Sequence, residues 1–220
     1  MMIKILRIIR NFIFGLNSRK TPVPLTAGTI HRINMFDMLL GSVSGLTGDI
    51  VECGVGHGRS LLMITSISTQ YDKRTVFAFD SFEGFPDVSE LDSAHNPSAI
   101  KGHYKSDLES VKIFLTNSGL PVEHIQNIVF VTGFFENTLK NFVKPIVFLH
   151  IDADLSTSYS TVLMTLFDQV VAGGIILFDE YNESKWAHTS IIINEFMKDK
   201  DVRWGVYKTD LMEKYYVIKQ

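Results

Sequence analysis

Gly48-Asp49-Ile50-Val51-Glu52-Cys53-Gly54-Val55-Gly56-His57-Gly58-Arg59-Ser60 decides the fold of this chain. Asp49-Ile50-Val51 opens a β run. Three glycines then force a tight turn without side chains, and Arg59 to Ile64 begins a helical pattern. A strand, a glycine turn and a helix N-terminus form a nucleotide-sized cradle, because the backbone can approach a ligand and free amides face it. The spacing is G-x-G-x-G, not the G-x-G-x-x-G of dinucleotide binders. Glu52 precedes the first glycine by two residues, where an anion would repel pyrophosphate and suits a cationic ligand. The next strand, Thr75 to Asp80, ends in an acid, where a parallel sheet places a carboxylate to accept ribose hydroxyls. An adenosyl group carrying positive charge fits all three features, and S-adenosylmethionine (SAM) is such a molecule.

Outward from this stretch the β–α alternation continues. The expected strands are 49–53, 75–80, 128–131, 146–151 and 175–178, with helices at 59–70, 107–118, 136–143 and 186–197 and another spanning Val162 to Val170 that Gly173-Gly174 ends. Ile146 to Ile151 is almost wholly apolar, as expected of a central parallel strand buried on both faces. Arg203 to Lys208 and Lys214 to Ile218 are directly connected and read as an antiparallel hairpin at the sheet edge. The expected fold is therefore α/β: a doubly wound three-layer sandwich around a mostly parallel seven-stranded sheet with an antiparallel edge hairpin. Ile30, Ile33, Phe36 and Leu40 mark the face of a preceding helix. Residues 81–106 carry prolines and glycines among polar residues without periodicity, the pattern of a functional lid.

The 220 residues bound the chain to one domain with at most small appendages. A net charge of −3 gives no bulk electrostatic case for nucleic acid. The single cysteine, Cys53, excludes an internal disulfide and suits a reducing cytoplasm, and it reads as a small packing residue. No apolar run is long enough to span a bilayer. Residues 1–24 form a separate arm and linker ahead of a domain at 25–220. The arm holds Lys4, Arg7, Arg10, Arg19 and Lys20 and no acid, and its basic stripe faces a wide apolar one. Two readings stand for residues 1–20: a helix lying on an anionic membrane surface, or an arm packed on another subunit, which points to a homo-oligomer.

The strand ends are acidic. Asp152 and Asp154 follow one central strand and Asp179-Glu180 the adjacent one, so the carboxylates of Asp152, Asp179 and Glu180 should meet in one pocket. Three oxygen donors without cysteine suit a hard cation such as Mg²⁺. Asp154 is expected to cap the following helix, His150 to be a hydrogen-bonded core residue, and His57 to be exposed. Trp186 and His188 either line an acceptor pocket or pack.

With these residues in view the chain resembles the macrocin O-methyltransferase (TylF-type) family of class I SAM-dependent methyltransferases. The resemblance rests on residues 48–55, on Asp80-Ser81-Phe82-Glu83-Gly84-Phe85-Pro86, on Gly102-His103-Tyr104, on Leu149 to Leu155 and on Gly173 to Tyr181. It implies Mg²⁺-dependent methylation of a hydroxyl on a sugar of a polysaccharide, nucleotide sugar or natural product. It also implies that Glu52, Gly54 and Gly56 line the methionine part of SAM, and that Asp80 holds the ribose beside Ser81 and Phe82. Gly133 and Phe134 would flank the adenine, Asp152, Asp179 and Glu180 would ligate the metal, and Asp152 would act as base. The chain departs from the family where Glu180 replaces an aspartate and where Ser156-Thr157-Ser158-Tyr159 replaces Tyr-Glu-Ser-Thr. Two rival readings are a non-catalytic accessory subunit of a glycan-building complex and an NAD(P)-dependent oxidoreductase. The glycine spacing and the strand-end acids speak against the second.

Overall fold

The computed structural model describes residues 25–220, so the arm expected over residues 1–24 lies outside the described part. The first helix, α1, is Ala27–Ser42. The strands are β1 Asp49–Cys53, β2 Val76–Asp80, β3 Ile128–Thr132, β4 Ile146–Ile151, β5 Val170–Phe178, β6 Val202–Lys208 and β7 Glu213–Lys219. They form one sheet in the order β3-β2-β1-β4-β5-β7-β6. β1 to β5 are parallel, and β7 runs antiparallel between β5 and the edge strand β6. This is the doubly wound sheet with an antiparallel hairpin that the sequence predicts.

Alternation along the strands divides the core between the two faces. Ile50, Phe148 and Leu177 face α1, α2 (Arg59–Ser68) and α4 (Leu108–Asn117), with α3 (Glu90–His95) lying in the segment between. Val51, Leu149, Ile151 and Phe178 face α7 (Ser156–Leu166) and α8 (Ala187–Met197). Every residue of β4 is buried, because helices cover both of its sides. The chain changes winding direction between β1 and β4, and the crevice at that switch point opens at the carboxyl ends of the strands.

Several elements differ from expectation. Gly173 and Gly174 do not end a helix; they lie inside β5, which starts at Val170 opposite Ile146. Gly173 has φ 80 there, and the register between β4 and β5 shifts across this stretch, so the glycines make a bulge. α1 buries Met35, Phe36, Leu39 and Leu40, while Ile30 and Ile33 stay 44% and 36% exposed. The helical stripe thus begins one turn later than the apolar spacing suggests. The segment 81–106 contains α3, started by the Ser89 hydroxyl accepting from the Asp92 amide. Short helices α5 (Val122–Gln126) and α6 (Phe135–Thr138) flank β3; the first was not anticipated and the second is shorter than expected. No helix among the described residues is long and apolar enough to cross a membrane.

Candidate active site

A cavity of about 560 Å³ lies over the carboxyl ends of β1 to β5. Its two halves are built by different means.

The β1–β2 half is made of backbone. Gly54 has φ 95, and a Cβ there would stand 1.8 Å from the Asp152 carbonyl oxygen. Only glycine lets the end of β1 approach the end of β4 so closely. Gly56 also has positive φ, and a Cβ would meet nothing within 4 Å, because that position opens on the cavity. Asp80 organises this turn. One carboxylate oxygen accepts from the Val55 and Gly56 amides at 2.8 and 2.9 Å, and the other from the Phe82 amide at 2.7 Å. α2 begins at Gly58 with no side-chain cap, so its first-turn amides are left for a ligand or water. Open room at Gly56, an acid beside it and a free helix N-terminus fit a charged nucleoside such as SAM.

The β4–β5 half is made of charged side chains. His150, Asp152 and Asp179 each bring one ligand atom to within 4.8 Å of the others. The Asp152 carboxylate accepts no hydrogen bond from another described residue. Burial and the neighbouring Asp179 charge push its pKa up to about 6. Asp154, also unpaired, is pushed up to about 7 by burial and by Asp152. Asp179 goes the other way. Burial would raise it, but His150, Arg32 and Lys214 together hold it well below the usual carboxylate range. Arg32 Nη2 donates to both Asp179 oxygens at 2.9 and 3.1 Å. Lys214 donates to the Asp179 carbonyl and, at 3.2 Å, to its carboxylate. His150 is wholly buried, donates through Nδ1 to Glu52 at 3.0 Å, and has Nε2 3.8 Å from Asp179 with no hydrogen-bond partner. Burial opposes its protonation, yet the two carboxylates raise its pKa to about 9. Glu180 is buried and takes the Tyr159 hydroxyl; burial and the surrounding acids push its pKa well up.

The predicted residues are placed as follows. Gly54, Gly56, Asp80, Ser81, Gly133, Phe134, Asp152, Asp179 and Glu180 all line the cavity. Glu52 does not; it lies beneath the floor on its β-ladder partner His150. Phe82 is buried in the core with φ 57 and offers the site its backbone amide. Glu180 stays outside the group formed by His150, Asp152 and Asp179, drawn away by Tyr159. Asp154 does not cap α7. Its φ of 58 is incompatible with the extended backbone of an N-cap, a position that Leu155 holds. The acceptor for the Ser156 amide comes instead from buried Asp92 of α3, at 3.1 Å, with the Ser156 hydroxyl on its other oxygen. Trp186 packs edge-on against Phe85 at the cavity wall, whereas His188 leaves the wall for His95. His150 and His57 are, as expected, a bonded core residue and an exposed one.

Arg32, Lys214 and Tyr159 have no local signal in the sequence, because the carboxylate each one holds lies far along the chain.

A family model described as Macrocin-O-methyltransferase (TylF) matches residues 24–217. The demethyldecarbamoylnovobiocin O-methyltransferase of Streptomyces niveus is 31% identical over 145 residues, 63% of this chain and 54% of that protein. The mycinamicin III 3''-O-methyltransferase of Micromonospora griseorubida is 26% identical over 146 residues, 62% of this chain and 56% of that protein. The chain thus aligns with about half the length of these curated relatives. Among solved structures, the calicheamicin methyltransferase CalS11 matches with a TM-score of 0.76 at 23% identity, over 88% of this chain and 80% of that one. The O-methyltransferase NovP matches with a TM-score of 0.72 at 24% identity, over 87% and 81%. Both share the fold.

Proposed function

This chain belongs to the macrocin-O-methyltransferase (TylF) family, and from that premise we propose that it methylates a sugar hydroxyl with SAM as donor and Mg²⁺ in the acidic half of the cavity. The observation that carries the reading is the position of Asp152. Its carbonyl abuts the glycine turn that shapes the nucleoside cradle, and its carboxylate stands unpaired in the same cavity. One residue therefore joins the donor side to the acceptor side.

SAM, when bound, supplies a methyl group on a positively charged sulfur. The donor set suits Mg²⁺ at Asp152 and Asp179, two carboxylates whose oxygens come within 4.8 Å of each other in the cavity. A cation there would lower the pKa of a nearby hydroxyl. The protein's own residues do the rest. Asp152 takes the acceptor's proton on its carboxylate, which faces the cavity and accepts no hydrogen bond from another described residue. His150 and Glu52, locked together beneath, fix the floor on which Asp152 stands. Phe85, Tyr104 and Trp186 from the loops wall the cavity, offering apolar faces to a sugar ring.

The test is transfer of labelled methyl from SAM to a panel of nucleotide sugars and glycosides, with wild type and Asp152→Ala. Turnover by wild type, a loss of about 10²- to 10⁴-fold in the variant and unchanged SAM affinity by calorimetry are expected. Intact turnover in Asp152→Ala would overturn the assignment of the base. No SAM binding by the wild type would overturn the whole reading and favour an accessory role.

A further inference from the structure

Asp179 is a ligand of the proposed cation, yet Arg32 already occupies both of its carboxylate oxygens. This pair joins residues 147 positions apart, and it ties α1 to the end of β5. The tie matters because α1 is anchored unevenly. Residues 27–34 include no buried side chain, and burial begins only at Met35 and Phe36. The first two turns are thus held by polar contact rather than by the core.

The three groups around Asp179 differ in freedom. Lys214 is buried and also bonded to Glu183 at 2.8 Å and to the Asp179 carbonyl. His150 is wholly buried and bonded to Glu52. Arg32 is 27% exposed and lines the cavity, so it can swing into solvent without uncovering the core. A divalent ion between Asp152 and Asp179 would stand beside the guanidinium, and like charges so placed repel.

Resting on the metal reading above, we infer that Arg32 is a displaceable counterion. It holds Asp179 while no divalent cation is present; an entering cation competes with it, and metal loading thereby frees the first two turns of α1. The cavity mouth and the first turns of α1 are then linked to metal occupancy through one side chain.

The test uses the full chain and Mn²⁺ as probe. Free Mn²⁺ is followed by electron paramagnetic resonance in wild type, Arg32→Gln and Arg32→Lys, and amide exchange over residues 27–34 is measured by mass spectrometry with and without the ion. Arg32→Gln should bind Mn²⁺ about tenfold more tightly, about 1.4 kcal/mol, with Arg32→Lys between it and the wild type. In the wild type, Mn²⁺ should speed exchange over residues 27–34 and leave residues 35–42 unmoved. In Arg32→Gln, exchange over 27–34 should be fast from the start and indifferent to the ion. Exchange that Mn²⁺ leaves unchanged in the wild type at saturation would overturn displacement, even with altered affinity, since a remote charge shifts affinity without moving a helix. Equal Mn²⁺ affinity in wild type and Arg32→Gln would overturn the competition and leave the metal site standing. No Mn²⁺ binding by any of the three would overturn the metal site and this inference together.

Discussion

The two halves of the cavity sit side by side on one sheet and are made on opposite principles. Over β1 and β2 the working surface is main chain: glycines at positive φ, amides tied to Asp80, and an uncapped helix end. Over β4 and β5 it is a set of interacting charges drawn from α1, β1, β4, β5 and β7. A backbone site is specified by a few adjacent residues and tolerates little change in shape. A charge site is specified by residues scattered along the chain and responds to pH and ions. The proposed function follows the same division: a cofactor of fixed form on one side, and proton and cation handling on the other.

That contrast can be broken by experiment. Its hardest test is Gly54→Ala. The added methyl would collide with the Asp152 carbonyl, so a loss of about 3 kcal/mol or more in stability is expected, together with loss of SAM binding, as read by denaturant melts and calorimetry. Near-wild-type behaviour would mean that β1 and β4 are not held as closely as the contrast requires. A second test concerns pH. His150 has its folded pKa raised from 6.5 to about 9, so its contribution is fully present below pH 6.5 and fades as pH rises through 9. The melting temperature should fall across that window, and His150→Gln should flatten the fall; an unchanged slope in the variant would remove His150 from the charge network. Third, Asp80→Ala strips three backbone amides of their acceptor. SAM affinity should drop about tenfold or more, about 1.4 kcal/mol, while the pH profile of turnover stays put, since the change lies in the backbone half. The smallest effect is Asp92→Ala, which uncaps α7 and frees α3. A cost of about 1 kcal/mol in stability is expected, with the acceptor's KM rising and SAM affinity constant. A shift in SAM affinity instead would show that α3 serves the donor side.

The same division explains what could be read in advance. The sheet, its winding and its edge hairpin were legible because apolar runs, glycines and strand-end acids are local signals. The glycine turn was legible for the same reason, since Gly54, Gly56 and Asp80 lie within one β–α–β passage. Where a local signal misled, tertiary context had decided otherwise. Gly173-Gly174 looked like a helix end and is a bulge, because β4 supplies a partner as early as Val170. Asp154 looked like a cap, and its place was taken by Asp92 of α3. The partners of Asp179 were not legible at all. Nothing near Arg32 or Lys214 in the sequence says that two cations will meet on one carboxylate, and the geometry that joins them exists only once the sheet is assembled.

Lys214 carries a consequence for how the protein is made. It lies on β7, the strand that slots between β5 and β6 and is the last of the seven to be synthesised. Until it arrives, β5 presents an unpaired edge, and Asp179 lacks the cation that grips its carbonyl. The nascent chain therefore passes through a stage with an open sheet border and an unbalanced acidic patch at the same spot. Synthesis runs from the N-terminal end, so the completion of this site and the sealing of the β5 edge both wait on β7.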